Sequence, residues 1–152
     1  MNNDYFFRAL AIAFTVIGLS AGTAFANPIA NKALVEKAMT AVFVKRDTAA
    51  IDRYWGKPYI QHNPGIANGR AALAAEIKQL PPTFNYEFGM VVAEGDLVML
   101  HGRYSGFGPK ALVAVDIFRI SHGKIVEHWD VLQDEIHAAK TKSGNPMFEP
   151  GK

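Results

Sequence analysis

The sequence of 152 residues contains no cysteine and has little net charge. The absence of cysteine excludes disulfides, thiolate metal sites and cysteine nucleophiles, so the fold must be stabilised by packing. The formal net charge of +2 is too small to indicate binding to nucleic acid or to an anionic surface. H-x-x-x-H and H-x-H spacings are also missing, and we therefore expect no metal site.

The chain also lacks a long hydrophobic run, but a short one near the N terminus has the features of a secretory signal. Arg8 precedes an uncharged apolar run at residues 9–19, and Ala-Phe-Ala at residues 24–26 matches an A-x-A cleavage site. A membrane span needs about 20 apolar residues, so an uncleaved anchor is the weaker alternative. We expect residues 1–26 to be removed, which leaves an exported domain, periplasmic or secreted, with no further membrane segment.

The remaining chain, residues 27–152, has the length of one domain, and helices are predicted in its first half. Apolar residues recur at helical spacing over residues 32–44. Thr48 is placed to cap a second short helix, and a third is predicted at residues 70–80, before two prolines. Between these helices, residues 59–62 form a short extended piece.

Alternating apolar residues in the second half predict four strands, at residues 84–92, 97–104, 111–120 and 125–132. Helices followed by an antiparallel meander indicate an α+β fold. The helices are the available cover for one face of this sheet, and a strongly twisted sheet of this kind forms a cone around a pocket. The core of the domain is therefore expected at about residues 32–133, followed by a tail at residues 134–152 that becomes rich in glycine and proline.

The first candidate site is the segment that follows Trp55, where aromatic, amide and imidazole groups lie close together. Tyr59, Gln61, His62 and Asn63 precede a proline in a region of irregular backbone. One interpretation is a pocket rim that binds a substrate through hydrogen bonds. The alternative is a turn in which the imidazole and the amide satisfy nearby backbone groups.

The second candidate site consists of polar groups on apolar strands. His101 and Arg103 share one face of the second predicted strand, and Asp116 shares a face of the third with Phe118. A carboxylate within an apolar run must be paired, hydrogen-bonded or protonated, because burying a bare charge is costly. Asp116 is therefore a candidate acid or base. The alternative is a structural ion pair with His101, Arg103 or Arg119.

The third candidate site lies on the last predicted strand. Alternation places His128 and Asp130 on one face and Glu127, Trp129 and Val131 on the other. Neither face is clearly apolar, so both orientations stay open. An inward His128 and Asp130 would form a general base with its orienting partner, whereas an inward Trp129 would form a pocket wall.

Several of these segments resemble, in order and spacing, the SnoaL-like polyketide cyclases of the nuclear transport factor 2-like superfamily. They are Y-I-Q-H-N-P at residues 59–64, Gly69 at the start of a helix, D-I-F-R at residues 116–119 and G-K-I-V-E-H-W-D-V at residues 123–131. The likeness extends over nearly the whole domain. It implies a cone-shaped α+β barrel, a homodimer and no cofactor.

The resemblance also implies chemistry and site residues. Better-studied relatives catalyse intramolecular aldol condensation, in which a base removes a proton beside a carbonyl group and the enolate attacks a second carbonyl. The family's acid/base aspartate falls on Asp130, with Asp116 second. The imidazoles of His62, His101 and His128 would assist. The substrate-binding residues would be Trp55, Tyr59, Gln61, Asn63, Phe118 and Trp129.

Two alternative functions are consistent with these residues. The first is a cofactor-free acid/base enzyme that acts on a small carbonyl compound by condensation or isomerisation. The second is a ligand-binding module that uses the same pocket without turnover. The number of ionisable groups that converge favours the enzyme, because a pure binder needs few of them. Pocket geometry discriminates between the two, since catalysis requires acid and base groups within reach of one ligand position.

Overall fold

The computed structural model describes residues 27–150, so the predicted signal segment at residues 1–26 lies outside them. The α-helices are α1 Pro28–Met39, α2 Ala50–Tyr54 and α3 Arg70–Gln79. The strands are β1 Trp55–Gln61, β2 Asn85–Glu94, β3 Leu97–Ser105, β4 Leu112–Ser121 and β5 Lys124–Asp134. A π-helical turn, Thr40–Val44, continues α1, and a 3-10 helix, Ala138–Lys140, lies in the tail.

The helices begin where local hydrogen bonds satisfy their first amides. The Asn27 side chain accepts from the Ala30 amide at 3.1 Å, so α1 starts earlier than the apolar periodicity predicts. The predicted cap at Thr48 is wrong, because the Asp47 carboxylate accepts from the amides of Ala49 and Ala50 instead. Within residues 27–150, no helix is long and apolar enough to cross a membrane.

The strands form a single sheet in the order β1-β5-β4-β3-β2. β2 to β5 are the predicted antiparallel meander. The extended piece predicted at residues 59–62 is instead the end of a full strand, β1, which pairs parallel with β5. This pairing places Gln61 beside His128, and the β4–β5 register places Asp116 beside Asp130. Four predicted site residues therefore lie close together on three neighbouring strands.

The inward face of the sheet packs against the helices. Val98 and Leu100 of β3 are fully buried, as are Val35 and Val42 from α1 and its π-helical continuation. The other face leaves apolar side chains exposed, such as Val115. The α+β class, with a curved sheet covered by N-terminal helices, is confirmed.

Gly106, the first residue of the loop between β3 and β4, lies close against the backbone of Thr83. Gly106 has φ of +78°, and a Cβ atom there would lie 1.8 Å from the carbonyl oxygen of Thr83. Gly106→Ala should therefore lower the free energy of unfolding by about 1–3 kcal/mol. Gly108→Ala in the same loop is the control, because its Cβ would meet no atom closer than 4.0 Å. Equal urea midpoints for the two variants would contradict this account.

Candidate active site

A cavity of about 200 Å³ lies between the helices and the inward face of the sheet. Most of its wall is apolar and comes from α1, α3, the sheet and the loop between β3 and β4. An apolar cavity of about 150 Å³ is known to hold benzene, so this one suits a ligand of about one ring. Its polar lining residues are Trp55, Tyr59, Gln61, Asn63, Glu76, Tyr104, His128 and Asp130.

Asp130 lines this cavity from β5, and Asn63 holds its carboxylate. Asn63 Nδ2 donates to Asp130 Oδ2 at 2.6 Å. The orientation of the Asn63 amide is determined by its other end, because Asn63 Oδ1 accepts from the Gly65 amide at 2.8 Å. The side-chain amide of Asn63, rather than the expected His128, orients the Asp130 carboxylate. Of the two orientations left open for this strand, the structure has the one in which His128 and Asp130 face inward.

Tyr59 presents a neutral phenol to the same cavity. Its hydroxyl oxygen accepts from Gln61 Nε2 at 3.2 Å, and no described residue accepts its proton. Burial raises the pKa of Tyr59 above its ordinary value; a hydrogen bond from the Trp55 indole N–H lowers that pKa in part, and the nearby negative charges of Asp116 and Asp130 raise it further. Tyr59 therefore acts as a hydrogen-bond donor rather than as a base.

Asp116 lies behind the cavity wall and not on it. Its residue exposure is only 1 %, and both of its carboxylate oxygens accept from the Tyr104 hydroxyl at 2.9 Å. His128 Nε2 lies 3.2 Å from Asp116 Oδ1. Asp116, the second candidate acid or base, does not line the cavity, and the alternative pairing with His101, Arg103 or Arg119 is wrong. The carboxylate instead contacts the inward side chains of Tyr104 on β3 and His128 on β5, the two strands that flank β4.

One group among residues 27–150 has the donor types of a metal site. Side-chain ligand atoms of Asp116, His128 and Asp130 all lie within 4.8 Å of one another. Both ring nitrogens of His128 already form hydrogen bonds, Nδ1 with Gln61 and Nε2 with Asp116. A cation at this position would have to replace one of these bonds.

His62 and Trp129 lie outside the cavity, which corrects their expected roles in the site. Their rings stack at a centroid distance of 4.7 Å and an angle of 3°. His62 Nε2 is also 2.9 Å from Glu127 Oε1, and this bond, followed by that of Arg119, lowers the pKa of Glu127. His128 and Asp130 of β5 point inward, so Glu127 and Trp129, which alternate with them along the strand, point to the outer face. His62 lies on that face through its contacts with both side chains.

His101 also lies on the outer face, which again corrects the expectation. Its ring lies 5.5 Å from that of Phe148 in the C-terminal tail. Arg103, on the same face, pairs with Glu87 and Glu135 at 3.2 and 2.8 Å. The physical reason is the burial of the even-numbered residues of β3, which turns the odd-numbered ones away from the helices.

Of the remaining predicted site residues, the structure brings five to the cavity, which are Trp55, Tyr59, Gln61, Asn63 and Phe118. Tyr104 is a residue that the sequence analysis missed. It shares the two-residue alternation of Val98 and Leu100 on β3, so it could have been found once the inward face of that strand was known. Phe107, in the loop after β3, also lines the cavity and had no periodic signal.

Comparison with known proteins gives a family match and a set of similar folds. Residues 35–128 match the family model described as a SnoaL-like domain. Among curated proteins, no sequence matches this chain significantly. A candidate ketosteroid isomerase from Kribbella flavida is similar in structure, with a TM-score of 0.62 and 14% identity, over 71% of this chain and 81% of that one.

Two further structures extend this comparison. A candidate polyketide cyclase from Bacillus cereus has a TM-score of 0.57 and 19% identity, over 64% of this chain and 71% of that one. An LEH-like epoxide hydrolase from M. tuberculosis has a TM-score of 0.55 and 18% identity, over 70% of this chain and 84% of that one. At these identities the likeness shows a shared fold.

Proposed function

Because the chain belongs to the SnoaL-like domain family, we propose that it is a cofactor-free acid/base enzyme acting on a small carbonyl compound by condensation or isomerisation. Family membership and the cavity support a small-molecule role in general. The choice of an enzyme rests on one observation. The carboxylate of Asp130, held by Asn63, shares a largely apolar cavity with the phenol of Tyr59, whose proton has no acceptor among the described residues.

These two groups have complementary roles in the proposed reaction. Asp130 takes the proton from a carbon next to a carbonyl group, and the electron pair of the broken C–H bond forms an enolate. The Tyr59 hydroxyl donates a hydrogen bond to the enolate oxygen, where negative charge develops. Neither step requires another reactant.

The enolate can then react in two ways. In the isomerisation of a β,γ-unsaturated carbonyl compound, the electron pair spreads over a conjugated dienolate, and the proton held by Asp130 returns to the γ-carbon while the double bond moves to the α,β position. In a condensation, the enolate carbon attacks a second carbonyl carbon, and the oxygen of that carbonyl takes the proton from Asp130. Both outcomes regenerate the carboxylate and leave atoms and charge balanced.

The cavity volume of about 200 Å³ restricts the substrate class in this proposal. A volume somewhat larger than a benzene site accommodates one ring or a short chain with a carbonyl group. A fused polycyclic compound would have to extend beyond the cavity. The proposed substrates are therefore monocyclic or short-chain aldehydes, ketones and 1,3-diketones.

Exchange of α-protons with D₂O tests the proposal, because it reports proton removal without knowledge of the complete reaction. A panel of one-ring and short-chain carbonyl compounds, with acetophenone as the reference, is followed by NMR with and without the protein. Exchange above the buffer rate supports the enzyme. Binding of panel members without exchange would support the ligand-binding module instead.

We also propose that the protein is exported with residues 1–26 removed and that it forms a homodimer. The proposal is supported by the basic, apolar and small-residue segments of the N terminus and by the resemblance described above. Native mass spectrometry of the exported protein tests both statements. It should find Asn27 at the N terminus and twice the mass of residues 27–152, whereas an intact Met1 would contradict export.

A further inference from the structure

We propose that Gln61 is a positioning residue that directs the hydroxyl proton of Tyr59 into the cavity, and that His128 and Asp116 act by holding Gln61 in place. This inference rests on the proposed function, because it explains how the donor for the substrate oxygen is oriented. It assigns three buried polar groups that the proposed proton transfer does not itself use.

The orientation of the Gln61 side chain follows from its contacts. Gln61 Oε1 lies 3.0 Å from the backbone nitrogen of Asn63, which can only donate. The atom at that end of the amide is therefore the oxygen. His128 Nδ1 lies 2.9 Å from the same oxygen, so this ring nitrogen must carry a proton and donate as well. Gln61 Nε2 is then left to donate to Tyr59.

The direction of the Tyr59 proton follows from that donation. A phenolic oxygen places its proton and its main acceptor direction on opposite sides of the C–O bond, in the plane of the ring. Gln61 Nε2 donates to this oxygen at 3.2 Å, and the Trp55 indole N–H is a second donor directed at it, so the Tyr59 proton must turn away from both. No acceptor among the described residues meets it there, and Tyr59 is part of the cavity wall. A ligand oxygen is the partner that this geometry leaves open.

A second layer of contacts keeps His128 from turning. Its Nε2 faces Asp116 Oδ1 at 3.2 Å, and Phe118 stacks on its ring at a centroid distance of 4.8 Å. Asp116 in turn is held by the Tyr104 hydroxyl, which donates to it. Rotation of the imidazole would break the bonds of both nitrogens at once. The chain of contacts thus runs from Tyr104 through Asp116, His128 and Gln61 to Tyr59, the hydrogen-bond donor for the substrate oxygen.

The ligand preference of the cavity is a direct readout of this arrangement. Acetophenone carries a carbonyl oxygen, and α-methylstyrene has the same shape with a CH₂ group in place of that oxygen. A directed Tyr59 proton should make the affinity ratio of acetophenone to α-methylstyrene about 2- to 10-fold higher in the wild-type protein than in Tyr59→Phe, the range of one hydrogen bond. Competition binding of the two probes, followed by NMR, gives this ratio.

Gln61→Glu is the decisive variant. A carboxylate at this position accepts from His128 and also from Tyr59, so the Tyr59 proton turns away from the cavity. The preference for acetophenone should fall by the same factor as in Tyr59→Phe, and the double variant should lose no more. Gln61→Met, which neither donates nor accepts, should give a smaller loss. Gln133→Glu, at the exposed end of β5, is the control and should keep the wild-type ratio.

The outcomes separate this inference from the proposed function. If Tyr59→Phe loses the preference while Gln61→Glu keeps it, the role of Gln61 is overturned and that of Tyr59 stands. If the wild-type ratio equals that of Tyr59→Phe, the inference fails, while α-proton exchange continues to test the enzyme. Nitrogen-15 NMR of His128 in the wild-type protein needs no variant. A protonated Nδ1 supports the inference, and an unprotonated Nδ1 overturns it.

Discussion

Asp130→Asn should lower the rate of α-proton exchange by about 10²–10⁴-fold, the usual contribution of a general acid or base. The amide has nearly the volume of the carboxylate, and its oxygen can still accept from Asn63 Nδ2, which lies 2.6 Å from the native oxygen. The shape of the cavity is therefore retained while the base is lost. Binding of acetophenone should change much less than the exchange rate.

Asp134→Asn is the matched control for this variant. Asp134 ends the same strand, is exposed and pairs with Lys110 on the surface, so its replacement should keep the wild-type exchange rate. Asp116→Asn separates the two aspartates. A large loss of rate in a folded Asp116→Asn protein, with a small loss for Asp130→Asn, would contradict the proposed base. Small losses from both would favour the ligand-binding module.

The second large effect is expected on stability. Asp116→Ala should lower the free energy of unfolding by about 2–5 kcal/mol, because two buried groups each lose a hydrogen-bond partner and each such loss costs about 1–3 kcal/mol. Asp116 is 1 % exposed, and its loss removes the partner of the Tyr104 hydroxyl and of His128 Nε2, while His128 Nδ1 keeps its bond to Gln61. Urea unfolding followed by circular dichroism measures the difference.

Conservative replacement of the same residue sharpens this test. In Asp116→Asn, the amide oxygen can accept from Tyr104 while the amide nitrogen faces His128, so the loss should be smaller than for Asp116→Ala. Asp134→Ala serves as the surface control, with an expected change of up to about 1 kcal/mol. A change of that small size for Asp116→Ala would show that the buried carboxylate is not required for the fold.

Much of the fold could be predicted because burial has a short period along the chain. Two-residue alternation predicts the four strands of the meander to within two residues at each end. Helical spacing predicts α3 within one residue, and it predicts α1 with its π-helical continuation except for the first four residues. β1 was seen only in part, because it contains Pro58 and its pairing with β5 is irregular between Trp55 and Ile60. A strand that depends on a distant partner leaves a weak local signal.

The site could be predicted in composition but not in orientation. The sequence marked the segment around Tyr59 and the pair His128 and Asp130, and all three residues line the cavity. It could not say which face of β3 points inward, and His101 was placed on the wrong side. A strand shows the same alternation whichever face is covered, so the inward face depends on what packs against it.

The amino-acid sequence by itself determined the class of fold, the family resemblance and the two segments that carry the polar groups of the cavity. Only the tertiary structure decided which of those groups face the cavity and which hydrogen bonds they form. Gln61 and His128 are far apart in the chain and meet only because β1 pairs parallel with β5. Asp116 lies behind the wall, held by a tyrosine from β3. Hydrogen bonds between side chains depend on distances of a few tenths of an ångström and on direction, and these are set by strand pairing and packing rather than by spacing along the chain.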